Sequence, residues 1–216
     1  MKRVVLVNPN TSATSTALML AIAREHLPRD FSLEGATAPS GPPLIVNPDH
    51  LRMARDVVAD MAASLARNAD GVIVSGFGDP GVEKLRKTLS VPVIGIAEAA
   101  MREAASLGGP FAVVTTTPAL LATITAFAEK LGLGSLLASV HTTEGAPEDI
   151  MSDNELLVGE LERIARLAVN DHGAETIIVG GGPLAAAARA LRDRLAVRMV
   201  EPIPAAMRRV TADLLQ

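Results

Sequence analysis

Four short segments combine glycine with small polar residues, and residues of these types can hold and polarise a small ligand. The segments are Asn8–Ser12, Ser75–Gly81, Thr115–Pro118 and Gly180–Pro183. Each lies between a short apolar run and a helical pattern, so free N–H groups at a helix start are expected to face the ligand. The candidate ligand contacts are Asn8, Asn10, Ser75, Phe77, Gly78, Thr115, Thr116, Thr117 and Gly182. The pattern indicates a site for an anion or a polar carbonyl group.

Few residues near these segments can carry a proton. The titratable ones are Asp79, Glu98, Glu201 and His141, and the hydroxyls of Ser75 and Thr115 need an activating base before they act as nucleophiles. None of the four histidines stands at metal-ligand spacing from a second ligand. The glycine-rich segments also lack the G-x-G-x-x-G and Gly-Lys-Ser/Thr patterns that hold nucleotides. No metal and no cofactor are therefore expected.

The elements that must position these residues follow an alternating pattern. Short β-branched runs alternate with Ala- and Leu-rich helical stretches, which is typical of βα units in a parallel sheet. Strands are predicted at Val4–Val7, Gly71–Ser75, Val91–Ile94, Phe111–Thr115, Ile177–Gly180 and Val197–Val200, and the short run Leu137–Val140 precedes His141. Asp79 and Thr117 each precede a proline and are expected to cap the helix that follows, and Ser152 has capping-box spacing to Glu155. The predicted fold class is α/β.

The chain also contains an internal duplication. Val5–Asn10 matches Ala112–Thr117, Val72–Gly76 matches Ile177–Gly181, and Val91–Gly95 matches Val197–Glu201. The members of each pair are separated by about half of the chain. Two similar α/β lobes, each a parallel sheet flanked by helices and related by a pseudo-twofold axis, are the simplest account. Ligands of open α/β sheets bind at the carboxyl ends of the strands, so one cleft between the lobes is expected.

Composition narrows the function classes. Twenty Lys and Arg face 24 Asp and Glu, and the chain has no Trp or Tyr, so a nucleic-acid partner is not expected. The longest apolar runs fall short of the about 18 residues that span a bilayer, and no signal-peptide pattern is found. Neither a membrane partner nor export is therefore expected, and a cytoplasmic location is predicted. The absence of cysteine rules out disulfides, thiolate ligands and thiol nucleophiles.

Five segments resemble one known family. They are Val7–Ser12, Gly76–Gly81, Gly95–Ala100, Val113–Thr116 and Gly173–Gly180, and their order resembles that of the aspartate/glutamate/hydantoin racemase superfamily, most closely its hydantoin and allantoin racemase branch. The resemblance implies a cofactor-independent site between two α/β lobes and a small carboxylate, amino acid or hydantoin as substrate. It also assigns the last helix to the first lobe. The expected lobes are then 1–97 with 204–216, and 98–203.

The chain departs from this family at the residues that perform the chemistry. Racemases of the family use two cysteines, one removing the proton of the stereocentre and the other supplying a proton to the opposite face. Where the family has Cys-Phe-Gly-Asp-Pro-Gly this chain has Gly76–Gly81, and where the family has Gly-Cys-Ala-Gly-Met it has Gly180–Leu184. Gly76 and Gly181 therefore occupy the catalytic positions without a side chain. Asp79 and Glu201 are the acidic candidates near them, and Glu201 stands where the family has an aspartate.

Three functions remain open from the sequence. The first is an enzyme of the superfamily with altered chemistry on a small carboxylate, amino acid or hydantoin-like cyclic amide, for example a decarboxylation. The second is a non-catalytic protein that binds such a small-molecule ligand. The third is a racemase in which other groups fill the acid and base roles. A homo-oligomer stays open as the state of assembly.

The lack of cysteine leads to a first prediction. Treatment with iodoacetamide at neutral pH should leave ligand binding and any turnover unchanged, because the chain has no thiolate to alkylate. Calorimetric titration before and after treatment measures the effect, with a cysteine-dependent racemase as the positive control. Loss of activity on alkylation would contradict the prediction.

Overall fold

A computed structural model describes residues 1–61, 64–65, 67 and 69–216. The chain divides into two compact units. The first consists of Met1–Ile45, Asp49–Ala99 and Ile203–Gln216, and the second of Val46–Pro48 and Ala100–Pro202. Within the described residues, no helix is both long and apolar enough to cross a membrane.

The first unit contains a four-stranded parallel sheet. Its strands are β1 (Lys2–Asn8), β2 (Phe31–Thr37), β3 (Gly71–Val74) and β4 (Val93–Gly95), in the spatial order β2-β1-β3-β4. The helices between these strands are α1 (Ala13–Arg24), α2 (Pro48–Asp60) and α3 (Val82–Thr88), and β4 continues directly into α4 (Ile96–Ser106). Every residue of β3 is buried, as expected for a central strand that is covered on both faces.

The second unit repeats this arrangement. Its strands are β5 (Phe111–Thr115), β6 (Leu137–Thr142), β7 (Thr176–Val179) and β8 (Arg198–Val200), in the parallel order β6-β5-β7-β8. Its helices are α5 (Leu121–Lys130), α6 (Pro147–Ser152), α7 (Asn154–His172) and α8 (Ala185–Arg192), and β8 is followed by α9 (Pro202–Leu214). Short 3₁₀ turns precede two of the helices, at Pro118–Leu120 and Gly182–Leu184. The predicted α/β class with two parallel sheets is confirmed.

The duplication extends to the hydrogen bonds that close each sheet at its carboxyl end. The N–H of Ser75 donates to Val7 O at 2.9 Å, and the N–H of Gly180 donates to Val114 O at 2.8 Å. Since these pairs occupy matching places in the two sequence repeats, the two sheets end in the same way. The loops after β3 and β7 are thereby held at the carboxyl ends of their sheets.

Strand β2 was missing from the sequence prediction. Its sequence, FSLEGAT, contains a glutamate and a glycine, and the strand lies at the edge of its sheet with a partly exposed second half. An edge strand does not need the continuous apolar run of a central strand, so the apolar pattern gave no signal. Strand β6, also at an edge, is longer than the apolar run before His141 and includes that histidine.

Of three predicted helix starts, the one at Thr117 and Pro118 is confirmed as the start of a 3₁₀ turn, and the other two caps lie at different residues. Helix α3 begins at Val82 behind Gly81, so Asp79 does not cap it. Thr117 precedes the 3₁₀ turn and makes no side-chain capping bond. The cap of α7 is Asp153, whose carboxylate accepts the N–H groups of Glu155 and Leu156 at 2.9 and 3.1 Å. At two of these starts another residue is the N-cap, and at the third the chain forms a 3₁₀ turn without a side-chain capping bond.

Helix α7 supplies much of the core of the second unit. Leu161 is fully buried, and it belongs to a cluster with Ile164, Ile177 and Leu191 from α7, β7 and α8. On the same helix Leu156 is 46% exposed. The helix therefore packs one apolar face on the sheet and turns the other to solvent.

A pair of substitutions in α7 tests this packing. Leu161→Ala is expected to lower the free energy of unfolding by about 2–5 kcal/mol, because it leaves a cavity in the core. The matched change Leu156→Ala, at the exposed position, should alter it by no more than about 0.5 kcal/mol. Urea denaturation followed by circular dichroism measures both. Equal losses from the two variants would show that the buried face is misassigned.

Candidate functional site

Asn8 ends β1 and organises the loop that leads into α1. The residue is fully buried, and its Nδ2 lies 2.9 Å from Asn10 Oδ1, 3.0 Å from Ser12 O and 3.0 Å from Thr16 Oγ1. Its Oδ1 accepts the N–H of Asn10 at 3.2 Å. Both polar atoms of the Asn8 side chain are thus hydrogen-bonded within the protein, and the residue stabilises the conformation of this loop.

Ser75 and Gly76 follow β3 in a crowded place. The Ser75 hydroxyl donates to Val7 O at 3.0 Å, and the residue is 2% exposed. A Cβ added to Gly76 would lie 2.7 Å from Pro9 Cγ and 3.0 Å from Pro80 Cδ. Two proline rings therefore fill the space into which a side chain at position 76 would extend, and a thiol there requires the rings to shift.

Phe77 and Gly78 complete the turn before Asp79. Phe77 is 9% exposed, and Gly78 has a φ of +113°. That backbone angle lies in the region that glycine adopts without cost. The conformation of this turn therefore depends on Gly78 and on the hydrogen bonds of the Asp79 carboxyl group.

Asp79 is bound to the start of a helix other than the one predicted. Its Oδ1 accepts the N–H of Ala97 and its Oδ2 accepts the N–H of Glu98, both at 2.8 Å. These N–H groups belong to the first turn of α4, where no intrahelical acceptor exists and negative charge is favourable. A Cβ on Gly95 would collide with the Asp79 carboxyl group. Glycine at position 95 is thus what allows the carboxylate to reach the helix.

The Asp79 carboxyl group is unusual in two respects. Its backbone has a φ of +52°, and it is the one non-glycine residue with a positive φ among the residues that the structure describes. Burial raises the pKa of Asp79 to about 7, although the two backbone N–H groups oppose the shift. Asp79 thus combines an uncommon backbone conformation with a buried carboxyl group whose two oxygens both accept hydrogen bonds. Its main structural role is to join the loop to α4.

Thr115 ends β5 in the second unit and joins two of the predicted segments. Its hydroxyl donates to Gly180 O at 2.7 Å and lies 3.3 Å from the hydroxyl of Thr117. Thr116 is 2% exposed, and the only partner found for its hydroxyl in the described chain is Met151 Sδ at 3.8 Å. A thioether is a weak acceptor. The Thr116 hydroxyl is therefore the more available of the two for a ligand.

Gly181 and Gly182 form the turn after β7. Gly181 has a φ of +154°, and a Cβ there would lie 3.2 Å from Leu184 Cδ1. L-residues rarely adopt this φ, so a side chain at position 181 would be strained. Gly182 is buried and begins the 3₁₀ turn that precedes α8. The backbone at position 181 is thus shaped for glycine.

Glu201 follows β8 and is 4% exposed. Its Oε1 forms an ion pair with the guanidinium of Arg192, the last residue of α8. Its Oε2 is buried without a hydrogen-bond partner among the described residues. The hydroxyl of Thr143, at the end of β6, is also buried and lacks a partner there. Sequence reasoning missed Thr143, whose position became visible only once the full length of β6 was known.

The other buried side-chain atoms that lack a partner in the described part of the chain lie within secondary structure. They belong to Arg3 in β1, Ser139 and His141 in β6, Thr176 at the start of β7 and Thr211 in α9. Glu201 and Thr143 differ from these residues because each comes directly after a strand. Both lie at the carboxyl end of the second sheet, where a ligand of an open α/β sheet binds.

The other two titratable candidates have different surroundings. Glu98 lies in the first turn of α4 and pairs with Arg86 at 2.9 Å. His141 lies inside β6 with its ring 4.9 Å from that of His172. Burial and the neighbouring His172 lower the pKa of His141, which favours a neutral imidazole at physiological pH. In the described part of the chain, no group of three or more His, Cys, Asp or Glu residues is arranged to hold a metal ion.

The segments that follow the strands carry no basic side chain. Residues 9–12, 38–47, 75–81, 116–120, 143–146, 180–184 and 201 include Asp79, Glu144 and Glu201 but no Lys or Arg. Within these segments, negative charge on a ligand could be held only by backbone N–H groups and hydroxyls. The guanidinium of Arg192, which pairs with Glu201, is a basic group brought to a strand end from α8.

Known proteins resemble this chain over nearly its whole length. Residues 4–210 match the family described as Asp/Glu/Hydantoin racemase. A hydantoin racemase of Paenarthrobacter aurescens is 25% identical over 208 residues, which cover 95% of this chain and 88% of that protein. An allantoin racemase from Klebsiella pneumoniae superposes with a TM-score of 0.91 at 28% identity, covering 98% of this chain and 87% of that one. An allantoin racemase from Pseudomonas fluorescens superposes with a TM-score of 0.92 at 30% identity, covering 97% and 89%.

The attachment of Asp79 predicts a pH dependence of stability. An acid whose pKa rises from 3.8 to about 7 on folding holds a proton in the native state that the unfolded chain has already lost. The free energy of unfolding should therefore fall as the pH rises from about 4 to about 7, with a slope of up to about 1.4 kcal/mol per pH unit.

Two asparagine variants isolate this contribution. Asp79→Asn, which tolerates the positive φ, should lose the slope, whereas Asp49→Asn, at a side chain that is 73% exposed, should keep it. Urea denaturation at a series of pH values measures the difference from wild type. Parallel pH profiles for wild type and Asp79→Asn would contradict the assignment.

Proposed function

This chain belongs to the Asp/Glu/hydantoin racemase family, and from that premise we propose that it binds a small carboxylate, amino acid or hydantoin-like cyclic amide and does not invert it by two-thiol chemistry. The observation that carries the proposal is the state of the two catalytic positions. Gly76 and Gly181 occupy them, and neither can donate or accept a proton through a side chain. The binding segments of the family remain around them.

The surroundings of Gly76 and Gly181 support the proposal that two-thiol inversion does not take place here. Inversion of a stereocentre requires an acid and a base on opposite faces. At position 76 the ring of Pro9 fills the space of a side chain, and at position 181 the backbone angle disfavours any residue with a Cβ. Restoring two thiols would thus require movement at one site and strain at the other.

The ligand class is supported by the polar groups at the strand ends and by the relatives. Thr116 keeps an available hydroxyl, and Gly181 and Gly182 allow a ligand to approach the backbone closely. Such groups bind carbonyl and carboxylate oxygens without a basic side chain. The similar proteins are named hydantoin and allantoin racemases, which favours a cyclic amide within the proposed class.

A non-catalytic binding protein is the second candidate, and the first sheet favours it. Asn8, Ser75 and Asp79 all direct their polar atoms to protein partners. An amide is not a base, a serine hydroxyl needs an activating base, and each oxygen of Asp79 already accepts a backbone N–H. Of the acidic candidates Asp79 and Glu201, only Glu201 retains an unoccupied carboxylate oxygen among the described residues.

Binding and inversion can be measured separately. We expect calorimetric titration to detect binding of at least one of allantoin, L-aspartate and enantiopure 5-benzylhydantoin. Chiral chromatography should show that the enantiomeric composition of 5-benzylhydantoin changes no faster than in a protein-free blank, because neither Gly76 nor Gly181 has a side chain that transfers a proton. Inversion well above the blank would favour the racemase alternative, and binding of none of the three compounds would overturn the proposal.

A further inference from the structure

Glu201 has a buried carboxylate oxygen that the protein leaves without a donor. One oxygen pairs with Arg192, but Oε2 meets no hydrogen-bond partner in the parts of the chain that the structure describes. The residue is 4% exposed, so bulk water does not supply the missing donor. An unpaired buried carboxylate oxygen is costly, and its presence calls for a functional reason.

The first sheet provides an internal control. In the sequence repeat Glu201 matches Gly95, and the space above Gly95 is filled by the carboxyl group of Asp79. Three residues after Gly181 stands Leu184, whereas three residues after Gly76 stands Asp79. Each sheet thus carries one carboxylate at the end of its last strand, brought there by a different residue.

The two carboxylates differ in what satisfies them. Asp79 accepts the N–H groups of Ala97 and Glu98 in the first turn of α4. The matching residues after β8 are Ile203 and Pro204, and α9 also begins with Pro202. Proline has no N–H, so this helix start offers fewer donors to a carboxylate. Each oxygen of the Asp79 carboxylate accepts an N–H, whereas Glu201 Oε2 has no donor among the described residues.

The position of Glu201 beside β7, the strand that leads to Gly181, suggests its use. Strand β8 pairs Val200 with Ile178 of β7, so Glu201 lies beside the end of the strand that leads to Gly181. Neighbouring strands are about 4.8 Å apart, a distance that a glutamate side chain spans. Resting on the proposed function, we infer that Glu201 is the single acid–base group of this protein, acting from one face of a carbon acid.

The step is a reversible proton transfer. The Glu201 carboxylate takes the proton from a carbon next to a carbonyl, and the electron pair of the broken C–H bond moves into an enolate oxygen. Backbone N–H groups and the Thr116 hydroxyl are available to stabilise that oxygen. The carboxylic acid exchanges its proton with solvent and returns one to the same face. Because the second face has no partner, the result is exchange with retention of configuration.

The ligand reaches this carboxylate only if a side chain moves. Arg192 is the group paired with it, and its side chain is 59% exposed. The exposed Arg192 side chain can move into solvent, and a ligand must then supply the donor that the buried Glu201 carboxylate loses. Arg192 also balances the negative charge of Glu201 until a ligand arrives.

Deuterium exchange tests the inference with the full chain. Enantiopure 5-benzylhydantoin is incubated in D₂O with wild type, Glu201→Gln and Glu175→Gln, and loss of the C5 proton is followed by NMR against a protein-free blank. The control Glu175 is also a glutamate paired with an arginine, Arg198 at 2.9 Å, but its side chain is 60% exposed. Circular dichroism and calorimetric binding are recorded for every variant.

Wild type and Glu175→Gln should exchange the proton above the blank with retained configuration, and Glu201→Gln should lose at least about 100-fold of that rate while still binding. Exchange by Glu201→Gln at the wild-type rate would overturn the inference. Binding by wild type without exchange would overturn it and leave the proposed function intact, whereas no binding would overturn both. If Glu201→Gln does not fold, Glu201→Asp decides: a rate lowered at least tenfold supports the inference, and an unchanged rate overturns it.

Discussion

The contact between the Asp79 carboxylate and the first turn of α4 is the constraint on which the end of the first sheet depends. It joins the loop after β3 to the helix after β4, and it requires glycine at position 95 and a positive φ at Asp79 itself. Two backbone N–H groups that would otherwise lack acceptors offset part of the cost of burying this carboxyl group. The turn through Gly76 and Gly78 is thereby held against Pro9 and Pro80.

The second sheet meets the same need with different residues. There the hydroxyl of Thr115 joins the loop after β7 by donating to Gly180 O, and the carboxylate comes from Glu201 at the end of β8. Duplication of one βα arrangement has thus left two sheets with the same strand order and different polar chemistry. The first is satisfied internally, while the second retains polar atoms that a ligand can engage.

Replacement of the family's cysteines by glycine changes more than reactivity. A thiol is a nucleophile or acid only where its charge can be stabilised, and it needs a backbone that presents it. Gly181 has a φ of +154°, which L-residues rarely adopt, so a side chain at this position would be strained. Glycine at this position leaves the peptide group uncovered by a side chain.

The sequence by itself determined the α/β class, the central strands and the duplication, because buried parallel strands must be short continuous apolar runs and the repeat preserved them. It also located the polar segments that the structure places directly after β1, β3, β5 and β7. It did not reveal the edge strand β2, since one exposed side of a strand relaxes the apolar pattern.

Only the tertiary structure decided what each carboxylate does. Asp79 and Glu201 look alike in sequence, each beside a proline and near a strand end. Both oxygens of Asp79 are bonded to a helix that begins 17 residues after it in the chain, and one oxygen of Glu201 lacks a partner in the described part of the chain. Hydrogen-bond partners that are distant in the chain set the chemistry of a buried group, and no local pattern records them.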